Sequence, residues 1–198
     1  ILLQVLLEAA LFTAKEAFTG FVLGALIGLA IGVVLHHSRL LRRGTLPYVV
    51  ASQTVPILAI APMVVIWIGP RGPDWFPVSV IAAFLTFFPV AINTLRGLDS
   101  ANPRALELMH SYAASSRASL FKLKFPAALP YIFSALRIAA TACVVGAIIG
   151  ELPSGIQSGL GGAILNFNQY YSIDPTALWA TNIIAAGLGL VFFFLVVL

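Results

Sequence analysis

Long apolar stretches alternate with short polar ones along the whole chain. Each apolar stretch holds about 20 residues, the length that an α-helix needs to cross the hydrocarbon core of a bilayer. Residues 1–16 instead mix apolar with charged residues, which predicts an amphipathic helix at the membrane interface before the first span. The pattern predicts an all-α polytopic membrane protein with about five transmembrane helices, at residues 17–35, 47–68, 76–95, 132–150 and 175–198.

The longest polar interruption is residues 93–130, between two of these helices. Asn102 can cap a short helix there that begins at Pro103, a position where the missing N–H of proline costs nothing. Apolar residues recur along this helix at helical spacing and predict one apolar face. The members of that face are Ala105, Leu106, Leu108, Met109, Tyr112 and Ala113.

A second short helix is predicted at residues 117–124. Ser115 or Ser116 can cap its beginning. Pro126 ends it, because a proline disfavours helical conformation in the residue before it. Two short helices between two membrane helices are typical of a docking surface rather than of a substrate site.

The same loop carries a spaced motif. Its parts, in order, are Glu107-Leu108-Met109, Ala113-Ala114-Ser115 after three further residues, Phe125-Pro126 and Leu129-Pro130. This pattern resembles the EAA loop of the permeases of ATP-binding-cassette (ABC) importers. The flanks NTLRGLD and PAALPYIFSALRIA resemble the nitrate/sulfonate/taurine-type branch of that family, and the resemblance runs over nearly the whole chain.

The resemblance departs from the family pattern at one structural position. Ala113 stands where the family has a glycine, and Leu108 and Met109 replace two letters of the EAA motif. Where a glycine takes a left-handed conformation, alanine costs roughly 1 kcal/mol. We therefore expect a reshaped turn after the first short helix.

The resemblance implies a single permease domain over residues 1–198, with a cytoplasmic coupling loop at about 96–130. It also implies a subunit of an ATP-driven importer in the inner membrane of a prokaryote, which is not itself an enzyme and binds no metal or cofactor. ATP and Mg would be held by a cytosolic ATPase dimer. Further partners would be an extracytoplasmic solute-binding protein and a second permease copy, with a homodimer favoured over a heterodimer. The residues implied in ATPase coupling are Arg104, Leu106, Glu107, Met109, Tyr112, Ala113, Ala114 and Pro126.

Composition supports a membrane protein independently of the motif. Of 198 residues, 60% are apolar and 9% are charged, and the mean hydropathy is +1.01. Soluble domains carry about 25% charged residues. The pI of about 9.6 is better explained by cations on the cytoplasmic side of a membrane than by nucleic-acid binding.

The cations also predict an orientation. Only Lys15 and Arg71 fall on one side of the predicted membrane, and the other nine Lys and Arg residues fall on the opposite side. Because cytoplasmic loops are enriched in Lys and Arg, residues 36–46 and the coupling loop are expected inside the cell. Residues 151–174 are expected outside, as a loop or a short re-entrant helix. The chain lacks an initial Met and ends within a predicted helix, so we expect one more span beyond these residues.

Prolines in the second predicted span indicate a candidate translocation path. Pro56 and Pro62 would break the helix and free carbonyls that protein or a watery cavity must satisfy. A kink packed inside the bundle explains the same prolines equally well. The candidate path residues are Gln53, Thr54, Asn93 and Glu151.

Other polar and small residues have simpler interpretations. Gly20, Gly24, Gly28 and Gly32 form a small-residue stripe, which favours close helix packing within the subunit over a seam against a moving helix. His36, His37 and the arginines after them predict a solvated loop rather than a metal site. Glu151, at a span end, suggests a hydrated or capping role more strongly than a proton site.

No glycine-rich nucleotide loop and no nucleophile motif is present in the sequence. A self-sufficient channel or secondary transporter is the alternative to the permease hypothesis, and it would predict ion-coordinating residues within the spans. A membrane enzyme comes third, for want of catalytic residues.

Overall fold

The computed structural model describes residues 2–197, which are nearly all helical and contain no strand. Short 3-10 turns at Ser52–Thr54 and Gly69–Arg71 interrupt the helices, and a π-helical turn at Leu120–Lys124 precedes the seventh. Within the described range the α-helices are α1 (Leu2–His37), α2 (Arg39–Ala51), α3 (Ile57–Ile68), α4 (Phe76–Asp99), α5 (Pro103–Ser111), α6 (Ser116–Ser119), α7 (Phe125–Ser154), α8 (Leu160–Gln169) and α9 (Pro175–Val197).

Four helices are long and apolar enough to cross a membrane, namely α1, α4, the continuous α6–α7 helix and α9. The pair α2 and α3, which meet at a bend of 101°, makes a fifth span when the two are counted as one broken crossing. With 13 and 12 residues, each reaches only about 20 Å, less than the roughly 30 Å of a bilayer core. The predicted all-α membrane fold with about five spans is confirmed.

The small-residue stripe of α1 lies against α4. A β-carbon added at Gly20 would lie 2.5 Å from the Ala82 β-carbon, and one added at Gly32 would lie 2.6 Å from the Thr94 β-carbon. Residue numbers rise together along this contact, so α1 and α4 run parallel. The glycines let the two backbones approach where any side chain would hold them apart.

The α7 helix packs against α4 in the opposite direction. Gly97 contacts Ala128 near one end of the pair, and Gly150 contacts Val78 near the other. Because α1 and α4 are parallel, the chain must return across the bundle between them, and the bent α2–α3 pair makes that return.

The structure differs from the sequence-based predictions at three points up to the end of the second predicted span. Residues 2–16 are not a separate interfacial helix, because α1 continues through them for 36 residues and buries Leu6 and Ala9. The second span breaks only at Pro56, whereas Pro62 lies inside α3. The carbonyl of Ser52, expected to be free, accepts the Val55 N–H at 3.4 Å.

The segment after α7 folds back as a short helix. Gly155 ends α7 with φ of 72°, a left-handed value that suits glycine, and α8 follows. Asp174 then caps α9, as predicted, by accepting the Thr176 N–H at 3.0 Å. Hydrogen bonds from Thr176 lower the pKa of the Asp174 carboxyl below its usual range. Residues 151–174 therefore contain one short helix, α8, between α7 and α9, and their location outside the cell stays a prediction.

Candidate functional site

The first short helix of the polar loop forms as predicted. The Asn102 side chain accepts the Arg104 N–H at 2.9 Å, and Pro103 takes the first helical position of α5. The loop lies at what we call the basic end of the bundle, where α1 and α4 end and α2 and α7 begin. This end carries Arg39, Arg42, Arg43, Arg96, Arg104, Arg117, Lys122 and Lys124.

The turn after α5 is not reshaped, contrary to the prediction. Ala113 takes a left-handed conformation with φ of 51°. The Ala113 N–H bonds the His110 carbonyl at 2.9 Å, and the Ala114 N–H bonds the Met109 carbonyl at 3.0 Å. These two bonds are the Schellman motif that usually has glycine in the left-handed position. The two hydrogen bonds of this turn offset the conformational cost of placing alanine in the left-handed region.

Ala113→Gly is therefore expected to stabilise the coupling loop, by about 0.5–1 kcal/mol, because glycine removes the left-handed penalty at some cost in unfolded-chain entropy. Hydrogen exchange of the Ala114 amide should slow about 2–5-fold, by the same free energy. The matched control is Ala114→Gly, at a position without positive φ, which should not slow exchange at neighbouring amides. Equal effects of both variants would contradict a specific strain at Ala113.

The apolar face predicted for α5 is divided by the structure. Leu108 and Tyr112 are 57% and 78% exposed and lie four residues apart, on one side of the helix. Leu106 and Met109 are half-buried, and Leu106 lines a cavity of about 330 Å³ between α5 and the end of α1. The most exposed apolar surface of α5 is thus the Leu108–Tyr112 pair, and the roles of Leu106, Met109 and Tyr112 in ATPase coupling stay a prediction.

Glu107 and Arg104 are both exposed on α5. Among the described residues, Glu107 forms no salt bridge, since the two ion pairs of the structure both involve Asp99. Glu107 does not hold the geometry of its own loop, and its carboxylate is free to meet a partner.

The second short helix begins as predicted but does not end as predicted. Ser115 caps α6 by accepting the Ala118 N–H at 3.2 Å. Pro126 does not end the helix, because the chain continues through the π-helical turn into α7 with Phe125 in helical conformation. The Phe125 N–H bonds the Leu120 carbonyl, five residues back. In a regular α-helix a proline ring clashes with the carbonyl four residues back. We attribute the continuation of the helix past Pro126 to the wider π-helical turn before it.

A network of polar side chains joins four elements at the basic end. The His36 Nδ1 lies 2.7 Å from an Asp99 carboxylate oxygen, and the Arg42 guanidinium lies 2.6 Å from the other. Lys124 Nζ lies 3.0 Å from His36 Nε2. Because a lysine ammonium can only donate, His36 accepts at Nε2 and donates from Nδ1 to Asp99. The expectation of a solvated loop at residues 36–46 is wrong in two respects: nearly all of these residues belong to α1 and α2, and the His36 side chain is only 12% exposed. The Arg42 side chain is 43% exposed, as a solvated residue should be.

This network connects the coupling loop to the helices of the bundle. Lys124 ends the π-helical turn and Asp99 ends α4, while His36 lies in the last turn of α1 and Arg42 in the first turn of α2. The sequence contains no local signal for it, because its partners are 57 to 88 residues apart.

The candidate path residues are only partly brought together. Gln53 and Thr54 are exposed at the 101° bend, and Thr54 borders an apolar groove of about 750 Å³ along α2. Asn93 is half-buried and donates to the Pro89 carbonyl of its own helix at 2.8 Å. Glu151 has no exposed surface and accepts hydrogen bonds from Thr13 and from the Gly161 N–H, so its geometry matches capping rather than path lining.

Comparison with known proteins assigns the chain to one class of protein, the membrane subunits of ABC transporters. Residues 20–198 match the family described as binding-protein-dependent transport system inner membrane component. The chain belongs to that family.

Individual relatives agree with the match. The chain is 37% identical over 142 residues to the formylaminopyrimidine transport permease ThiX of Halalkalibacterium halodurans, covering 72% of this chain and 55% of the relative. It is 31% identical over 155 residues to a protein of Bacillus subtilis named for aliphatic sulfonate transport, SsuC, covering 78% of this chain and 55% of the relative. The chain thus spans about half the length of these relatives, and the resemblance to the nitrate/sulfonate-type branch is confirmed.

A solved structure of an amino acid ABC transporter shares the fold. The TM-score is 0.77 at 17% sequence identity, over 98% of this chain and 91% of the other. At that identity the comparison supports the helical architecture alone.

Proposed function

We propose that this protein is the membrane subunit of an ATP-driven importer. Two copies would form the path of a small solute, with a homodimer favoured, and an extracytoplasmic binding protein would deliver that solute. A cytosolic ATPase dimer would bind ATP and Mg and supply the energy. Because cations accumulate on the cytoplasmic side of membrane proteins, the basic end would face the cytosol of a prokaryotic cell and the Glu151 end would face outward.

The exposed pair Leu108 and Tyr112 is the observation that carries the proposal. These large apolar side chains are exposed on a short helix whose other exposed residues are mostly polar. Large exposed apolar side chains set in a polar surface mark binding sites, and a groove on a cytosolic ATPase fits an amphipathic helix of this kind. The free carboxylate of Glu107 would add a charged contact at the rim.

Mechanical coupling follows from the connections of α5. A displacement of α5 by a closing ATPase dimer reaches α7 through the π-helical turn, and reaches α1 and α4 through Lys124, His36 and Asp99. Since α1 and α4 are packed backbone to backbone along the glycine stripe, they would move as one body.

The second copy would cover the bent α2–α3 pair. No residue of α2 and only Ala61 of α3 is buried within the described chain. The path would then run past Gln53 and Thr54 at the bend, between the two copies. Asn93 and Glu151 fit the path less well than Gln53 and Thr54, because the side chain of each is hydrogen-bonded within its own subunit.

A self-sufficient channel or secondary transporter is the second candidate. Such a protein would need ionisable side chains facing a path within its spans. Two buried carboxyl groups exist, Glu16 and Glu151, but both are fully enclosed within a single chain.

The test is reconstitution of the full-length permease in proteoliposomes, alone and together with its ATPase and its binding protein. We expect ATP hydrolysis that rises several-fold when the binding protein is added, and no ion current through the permease alone. Conductance without the ATPase would instead identify a channel. The names of the relatives, for a formylaminopyrimidine and for sulfonates, suggest small organic solutes as the first probes of transport.

A further inference from the structure

Glu151 is a fully buried carboxylate that receives donors from two helices. The Thr13 hydroxyl of α1 donates to Oε1 at 2.6 Å, and the Gly161 N–H, in the first turn of α8, donates to Oε2. The Leu160 N–H in turn donates to the Thr13 hydroxyl oxygen at 2.9 Å. Both oxygens of Glu151 therefore accept hydrogen bonds, and the carboxyl group completes the open first turn of α8.

Glu16 adjoins this carboxylate and has no partner of its own. It follows Thr13, the hydrogen-bond partner of Glu151, by three residues on the same buried face of α1, which places its carboxyl group beside that of Glu151. The side chain has no exposed surface, and neither oxygen has a hydrogen-bond partner within residues 2–197. An ionised carboxylate in that position would be buried without compensation, which proteins avoid.

The cations of the surrounding elements offset a second negative charge only weakly. Lys15 is adjacent in sequence, but its Nζ lies over the Trp75 ring, 4.3 Å from the centroid. On α7 the nearest cation is Arg137, fourteen residues before Glu151 and about 21 Å away along the helix. The charged residues of α4, Arg96 and Asp99, lie at the basic end, and the described residues of α8 and α9 carry no charge.

We propose that Glu16 and Glu151 together bind one proton, carried on Glu16 and donated to Glu151, and that this proton fixes α8 against α1 and α7. The proton turns two adjacent carboxyl groups from a repulsive pair into a hydrogen-bonded one. Its removal at alkaline pH would place two negative charges side by side in a dry site and loosen α8. The inference concerns the folded chain and does not depend on the proposed importer role.

The first test is the thermal midpoint of the detergent-purified, full-length permease as a function of pH. An unfolded glutamate loses its proton near about pH 4.3, so above that pH folding takes up the proton of Glu16 and stability falls as pH rises. Relative to Glu16→Gln, the wild-type midpoint should fall by about 3–5 °C for each pH unit between about pH 5 and 8. Glutamine keeps a donor toward Glu151 but binds no proton, so that variant should lack this slope.

The matched control is Glu8→Gln, which removes an exposed carboxyl group from the same helix and should keep the wild-type slope. Infrared difference spectra provide a readout that does not require the variant to fold well. At neutral pH the wild type should show the carbonyl band of a buried protonated carboxylic acid, and the band should be absent in Glu16→Gln.

Three results would overturn the proposal. One is the absence of that band in the wild type, and another is its persistence in Glu16→Gln. The third is a midpoint that rises with Na⁺ or K⁺ at constant ionic strength, which would make the bound ion a metal cation instead of a proton.

Discussion

Gly24→Val is expected to prevent stable packing of α1 on α4. A β-carbon at Gly24 would lie 2.5 Å from the Ala83 carbonyl oxygen and 2.6 Å from the Thr86 β-carbon. Neither atom can move locally, because one is backbone and the Thr86 hydroxyl bonds the Ala82 carbonyl at 3.0 Å. Overpacking typically costs 1–3 kcal/mol when side chains can yield, so a clash with backbone should cost more than about 3 kcal/mol, a large share of typical stability.

The matched control for this substitution is Gly187→Val in α9. Both positions are glycines inside membrane helices, but an added β-carbon at Gly187 meets nothing within 4 Å in this chain. Protease resistance of the membrane-inserted, full-length permease measures packing within one subunit. We expect Gly24→Val to be degraded rapidly and Gly187→Val to resist like the wild type. Equal resistance of the two variants would show that the seam tolerates separation.

Local signals explain how far the sequence predicts this fold. The caps at Asn102 and Asp174 were predictable because a capping side chain and the helix that it caps lie within a few residues of each other. Helix lengths followed from hydropathy for the same reason. The continuous α1 helix was missed because the charged residues among 1–16 suggested an interface, whereas one of them, Glu16, is buried in the bundle by helices distant in sequence.

Tertiary partners explain the remaining errors. Nothing near His36 indicates that Asp99 and Lys124 will meet it, and nothing near Glu151 indicates Thr13 or Glu16. Likewise, the spacing of apolar residues on α5 cannot show which side of the helix the rest of the bundle covers. The motif resemblance located the coupling loop, but only the structure divides its apolar residues into covered and free ones.

That division decides how the coupling hypothesis should be tested. Leu108→Asp and Tyr112→Asp are expected to abolish binding-protein-stimulated ATP hydrolysis while leaving the permease folded, because both side chains are exposed in the free subunit. Placing a charge at an apolar anchor of an interface costs about 2 kcal/mol or more. ATPase binding should therefore weaken at least about 30-fold. Met109→Asp is a poorer test, since Met109 is half-buried and its replacement also disturbs the loop.

Two further variants show whether ATPase binding depends on α5 alone or on other exposed residues of the basic end. Phe121→Asp alters an apolar residue that is 66% exposed in the π-helical turn, outside α5, and should leave ATPase binding unchanged. Glu107→Ala should weaken binding by about 2–5 kcal/mol if its free carboxylate meets a cation that becomes desolvated on the ATPase, and by far less if it stays solvated. Co-purification with the ATPase and stimulated hydrolysis measure both variants. Normal coupling in Leu108→Asp and Tyr112→Asp would remove α5 as the docking element, because no other large apolar side chains of that helix are as exposed.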